Sequence, residues 1–207
     1  MTRLPLGQAD RHAFMNWKKI GVLAGGVTIF GLYAKRSSLL ARWLDIPPAK
    51  HGVTVQRNLK VPTHDGISLG TDHYAPRQRT DKDETFPTIL IRTPYGKGIA
   101  PAFHARRLAE RGYHVVVQDV RGRFGSGGEF EPFINEARDG AATVAWLQRQ
   151  YWFNGVLGTW GQSYLAYTQW ALVMAEPQAV TAMFPSLPSA HGPFSGQVDE
   201  ALSLIHI

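Results

Sequence analysis

The run Gly158-Thr159-Trp160-Gly161-Gln162-Ser163 sets a serine hydroxyl at the head of an apolar, helix-compatible stretch, SYLAYTQWALVMAEP. A serine so placed can attack an acyl carbon. A nucleophile elbow needs a turn tight enough to lift the hydroxyl clear of a sheet, and Gly161 removes the side chain that would collide with that turn. A helix starting at Ser163 brings its positive end to developing negative charge, and leaves the N–H of Tyr164 free to face an oxyanion. The plainer reading is a serine N-cap on an ordinary helix. The general pattern G-x-S-x-G would also want glycine where this chain has Leu165.

Two other patterns invite chemistry and fall short of it. RGRFGSGG, at 121–128, is glycine-rich and follows a strand-like run, but no Lys-Ser/Thr follows, so the P-loop pattern is absent. It reads as a loop beside the active site rather than as a nucleotide cradle, with Asp119 and Arg121 as a structural ion pair or loop brace. The eight histidines show no H-E-x-x-H or other paired ligand spacing, so no metal and no cofactor is expected. His64, His73, His104, His114 and His191 read as structural or surface residues. Trp152, Trp160 and Trp170 read as packing residues.

Strands alternating with helices must hold these groups. VTVQRNLKV alternates as a strand does, and the Asp65-Gly66 turn joins it to a second strand in a hairpin. Thr88 to Ile91 and the VVV of YHVVVQDVRG read as buried strands, GVLGTW and VTAMFPS as short ones. PAFHARRLAERG reads as a helix with Gly112 as its C′ residue. EARDGAATVAWLQRQ reads as a helix despite Gly140, and the run after Ser163 as a third, stopping near Pro177. The order implies an α/β fold, a mostly parallel sheet with helices on both faces. Ligands in such sheets sit beyond the carboxyl ends of the strands. RTPYGK, DVRGRFGSGGEF and GQSY all fall there.

DGISLGTDHYAP, ILIRTPYGK, VVVQDVRGRFGSGGEF and WFNGVLGTWGQSYLAYTQW, in this order, resemble blocks of the family of cocaine esterase and the X-Pro dipeptidyl-peptidases, which are α/β-hydrolases. The resemblance spans roughly residues 60–187. That family's pattern is G-x-S-Y-x-G, which accommodates Leu165 and makes Ala166 the departure, a methyl where the family usually has glycine. The resemblance implies an α/β-hydrolase core with Ser163 as nucleophile, the N–H of Tyr164 as one oxyanion donor and the phenol of Tyr95 as the second. A buried phenol is a directional donor, which suits that role; the plainer reading of Tyr95 is an aromatic lid at a strand end. The implied substrates are small esters, amides or peptides.

In α/β-hydrolases the acid and then the histidine follow the serine in the chain. After Ser163 stand only Glu176, Asp199 and Glu200, with His191 and His206. Glu176 closes the nucleophile helix and points away from the site. The family's acid and base lie after a helical cap that would begin near residue 190, so the chain is expected to be an inactive piece of the enzyme, truncated before the cap and the C-terminal half. A non-catalytic, membrane-tethered module on the same fold is the alternative; a nucleotide-binding protein is a third.

The net charge of +6 does not point to nucleic acid. Residues 1–50 hold eight Lys/Arg against two Asp/Glu, and residues 51–207 hold fourteen of each, so the body is neutral. The excess flanks IGVLAGGVTIFGLYA, fifteen uncharged residues from Ile20 to Ala34. That is short for a spanning helix of about 17–25 residues and fits a signal sequence. Lys35, Arg36 and Arg42 follow at once and disfavour cleavage, so an uncleaved signal anchor, holding the protein at a membrane, is the leading reading and a cleaved signal the next. The resulting division is 1–14 as sequence upstream of a start at Met15, 15–50 as anchor and Pro-containing linker, 51–201 as the hydrolase part, and 202–207, LSLIHI, as a non-native tail that resembles a translated sequencing adapter. With no cysteine, disulfides and thiolate metal sites are excluded.

Overall fold

Strands rich in β-branched residues and separated by helices build a six-stranded sheet in the computed structural model, which describes residues 39–77 and 84–186. The apolar segment Ile20–Ala34, His191, Asp199, Glu200, His206 and the 202–207 tail lie outside the described residues. The chain divides into two units, Met1–Pro48 and Ala49–Ile207. In the first, residues 39–43 are helical. Among the described residues no helix is long and apolar enough to cross a membrane.

The second unit runs β1 (Val53–Pro62), β2 (Ser68–Pro76), β3 (Thr88–Thr93), α1 (Ile99–Ala109), β4 (His114–Asp119), α2 (Glu136–Leu147), β5 (Leu157–Gln162), α3 (Tyr164–Ala175) and β6 (Ala182–Ser186). Every element expected from the sequence is present, in order. The sheet order is β1-β2-β4-β3-β5-β6. β1, β2 and β4 pair antiparallel, whereas β4–β3, β3–β5 and β5–β6 are parallel. The hairpin turns at Gly66, whose φ of +82° suits the left-handed position of the D-G turn. Gly112 also has positive φ, but it is not the C′ residue: Glu110 is the C-cap, so Arg111 separates the two. The helix simply ends one residue earlier than its glycine suggests.

The period of two within the parallel strands sorts their side chains onto two faces. Ile91, Val115 and Val117 meet Ala105 and Ala109 of α1 on one face. Leu90, Val116 and Leu157 meet Val144 and Leu147 of α2 and Leu172 of α3 on the other. Both faces are thus covered, which is why β4 is buried along its whole length. Gly140 lets α2 and α3 close on each other. A Cβ there would lie 3.2 Å from Leu172 Cδ1 and 3.4 Å from Arg92 Nη1.

His73 and His114 form a buried pair on the α2 side of the sheet. Their Nε2 and Nδ1 atoms are 3.0 Å apart, Gln56 Oε1 lies 3.2 Å from His73 Nδ1, and Trp152 stacks on His73 at 4.0 Å. Gln56 Oε1 can only accept from His73 Nδ1–H, and one ring donates to the other across the 3.0 Å contact. Burial holds both rings well below the usual imidazole range, so both are neutral. These are structural histidines, as the sequence suggests.

Candidate active site

β5 and α3 meet at Ser163 in a turn that few L-residues adopt. Its φ of 57° and ψ of −125° lie outside both the strand and helix regions. Ser163 occupies the N-cap position but makes no side-chain cap hydrogen bond, so helix capping does not explain the serine. The residue is exposed, and its side chain forms no hydrogen bond among the described residues. Its own N–H donates to the Ser186 carbonyl at 3.0 Å, which ties the elbow to the end of β6.

Gly161 makes this turn possible. Its φ is +149°, and a Cβ on it would sit 2.4 Å from Leu165 Cβ. Leu165 cannot be spared in turn, because it is 7% exposed and packs with Ile91, Val115 and Val117. Position 165 therefore wants an apolar anchor. Ala166 is fully buried, and the site admits its methyl.

Tyr164 opens α3, so its N–H has no acceptor within the helix and stands at the positive helix end. Its side chain runs the other way, onto α2. The hydroxyl donates to Glu136 Oε1 at 2.7 Å and accepts the Phe133 N–H at 3.0 Å, while the ring stacks on Phe133 at 4.8 Å. Burial and the neighbouring Glu136 carboxylate push this phenol far above its usual range, so it stays protonated.

Tyr95 lies beyond the end of β3, the strand that pairs with β5. Parallel pairing therefore brings Tyr95 and Ser163 to the same carboxyl end of the sheet. The phenol is not buried as expected: the residue is 63% exposed. β3 ends at Thr93, and from Pro94 to Gly98 the chain runs off the sheet, past the layers that bury the strand. The Tyr95 backbone is fixed all the same, its N–H bound to Thr93 Oγ1 at 3.0 Å.

The glycine-rich loop is used up internally. The N–H groups of Gly122, Arg123, Gly125, Ser126 and Gly127 go to the Gly127 carbonyl, the Val120 carbonyl, Asp119 Oδ2, the Arg123 carbonyl and the Ser68 carbonyl. They leave no nest for a phosphate. Asp119 and Arg121 brace this region through separate partners, not through each other. Lys97 pairs with Asp119, while Arg121 reaches Asp139 at 2.6 Å and Asp65 at 2.6 Å. The Arg121 guanidinium holds Asp65 far below the usual carboxylate range.

Three polar residues that shape the site carry no motif. Arg92 and Glu136 are 2% and 3% exposed and form an ion pair at 3.0 Å behind Tyr164. Gln169 is 3% exposed and bonds the strand side of the elbow. The signal was a polar residue on an element face that must be buried, such as Gln169 inside an otherwise apolar helix. Among the described residues no group of three or more His, Asp or Glu side chains could hold a metal ion. Between Tyr164 and Ser186 there is no histidine, and the single carboxylate, Glu176, caps the far end of α3.

Residues 65–193 match the family described as X-Pro dipeptidyl-peptidase (S15 family). The cocaine esterase of Rhodococcus sp. (strain MB1 Bresler) is 37% identical over 142 residues, which cover 66% of this chain and 24% of that protein. A CocE/NonD family hydrolase from Staphylococcus aureus superposes with a TM-score of 0.54 at 25% identity, over 65% of this chain and 30% of its own. Brefeldin A esterase, at 18% identity, shares the fold with a TM-score of 0.55 over 77% of this chain and 46% of its own. The chain thus spans about a quarter of the length of the curated relatives it matches.

Proposed function

This chain belongs to the X-Pro dipeptidyl-peptidase (S15) family and is a CocE/NonD-type α/β-hydrolase sequence, and on that premise we propose that it carries the nucleophile and oxyanion hole of a serine hydrolase acting on ester or amide bonds. The observation that carries the reading is the strained backbone of Ser163, held exposed at a strand–helix turn with no capping bond to account for it.

Ser163 Oγ attacks the substrate carbonyl carbon as its proton passes to a general base. The Tyr164 N–H and the Tyr95 hydroxyl hold the resulting oxyanion. The tetrahedral species collapses, the bond to the alcohol or amine breaks, and the leaving group takes the proton. Water then attacks the acyl-enzyme and frees Ser163. We place the base and its orienting acid outside the described residues. Glu176 is the wrong end of a twelve-residue helix, roughly 18 Å along its axis from Ser163. A nitrophenyl-ester assay of the 207-residue chain alone, expected to show poor turnover, tests whether a competent base lies within it. The segment Ile20–Ala34 would hold the protein at a membrane, which fractionation of a fusion with and without that segment would test.

Fluorophosphonate labelling of the full-length gene product tests the nucleophile. Ser163 is expected to take the label and Ser163→Ala to lose it together with esterase turnover. Labelling that survives the substitution sinks the assignment.

A further inference from the structure

The side chain of Tyr164 is tied into the middle of the sheet through a chain of buried polar groups. Its hydroxyl meets Glu136 Oε1 at 2.7 Å. Glu136 Oε2 lies 3.0 Å from Arg92 Nη2, and Arg92 Nη1 also donates to the Glu136 carbonyl at 2.7 Å. Arg92 Nε donates to Gln118 Oε1 at 2.9 Å, an atom that Thr143 Oγ1 also reaches at 3.0 Å, and Gln118 Nε2 donates to Thr71 Oγ1 at 3.2 Å. β2, β4, β3 and α2 are thereby joined to the first residue of α3.

A buried ion pair is a costly way to gain stability, because desolvation offsets much of the attraction, and apolar residues would fill the same space as well. What a fixed charge pair supplies is position. An oxyanion donor must sit within a few tenths of an ångström of its place to stabilise the transition state. The N–H in question belongs to Tyr164, and the first turn of a helix is its least constrained part. Gly140 lies beside this network, and a Cβ there would touch Arg92 Nη1 at 3.4 Å.

We propose that Glu136, held by Arg92, is a positioning residue that fixes the oxyanion-hole N–H of Tyr164 through the Tyr164 hydroxyl; the proposal rests on Ser163 being the nucleophile. Tyr164→Phe removes the hydroxyl and keeps the N–H, the ring and the stack on Phe133. In the full-length protein it lowers kcat for a nitrophenyl ester about tenfold, a fraction of the loss of a whole oxyanion donor. KM stays within about twofold, and the rate of fluorophosphonate labelling falls in parallel with kcat. Glu136→Gln moves kcat the same way.

A folded Tyr164→Phe protein with wild-type kcat overturns the proposal, and so does a loss confined to KM. If Glu136→Gln fails to fold, Tyr164→Phe still decides. A wild-type protein that takes no label at Ser163 overturns the nucleophile assignment itself, and the positioning role with it. That result is read before any Tyr164 or Glu136 variant is made.

Discussion

The side-chain amide of Gln169 donates to the carbonyl of Gly161 at 3.1 Å, across the elbow from α3 back to β5. The same nitrogen reaches the carbonyls of Leu165 and Phe184, and the amide oxygen accepts from Thr159 Oγ1 and the Phe184 N–H. One buried side chain therefore joins both strands beside the nucleophile to the helix behind it. Gln169→Ala is expected to cost about 2–4 kcal/mol, since several buried groups lose partners at once. Gln169→Glu should cost at least as much, because it sets an oxygen against three carbonyls. Urea midpoints check both; a loss under about 0.5 kcal/mol for Gln169→Ala would show that water replaces the amide.

Gly161→Ala should be among the most damaging single changes at the elbow. It meets both an unfavourable φ and the Cβ of Leu165 at 2.4 Å, and about 3 kcal/mol or more is at stake. The shortest contact is with Leu165 Cβ, and Cδ2 follows at 2.8 Å, so Leu165→Ala relieves only the lesser part of the clash and Leu165→Gly relieves more. A double-mutant cycle in thermal unfolding measures this coupling. Equal behaviour of the two second-site changes would mean that backbone strain alone is responsible.

Tyr95→Phe should separate catalysis from stability. The ring is 63% exposed, so its hydroxyl contributes little to the fold. If it is the second oxyanion donor in the full-length enzyme, kcat falls about 100-fold while the melting temperature stays within a degree or two. Wild-type kcat would leave Tyr95 as the aromatic lid that its position at a strand end also suits.

Stability should fall with acid before the carboxylates titrate. Burial lowers His73 to about 3, with the neighbouring His114 adding to it, and burial lowers His114 to about 4. In the unfolded chain both rings take up protons near pH 6.5, whereas the folded rings do not. The stabilisation is therefore complete above pH 6.5 and is lost as pH drops towards 4, by about 2 kcal/mol per ring at pH 5. Urea titrations at pH 7 and pH 5 read the difference, and His114→Gln should roughly halve it. A midpoint that does not move between the two would mean that the rings are not buried together in solution.

Local chemistry alone carried much of this protein. Hydrophobic period, β-branching and turn residues placed all nine elements, because each of those signals acts within about ten residues. Gly161, Ser163 and the apolar run behind them announced a strand–helix turn for the same reason. Tertiary structure decided the rest. Whether Tyr95 is buried depends on where β3 leaves the sheet, not on the residue. Arg121 and its neighbour Asp119 do not pair; the hairpin turn and α2 bring Arg121 Asp65 and Asp139, 56 and 18 residues away. Arg92 and Glu136 are 44 residues apart, and nothing in their neighbourhoods marks them as partners. An ion pair is specified by distance in space, and only the closing of α2 against β3 and α3 supplies that distance.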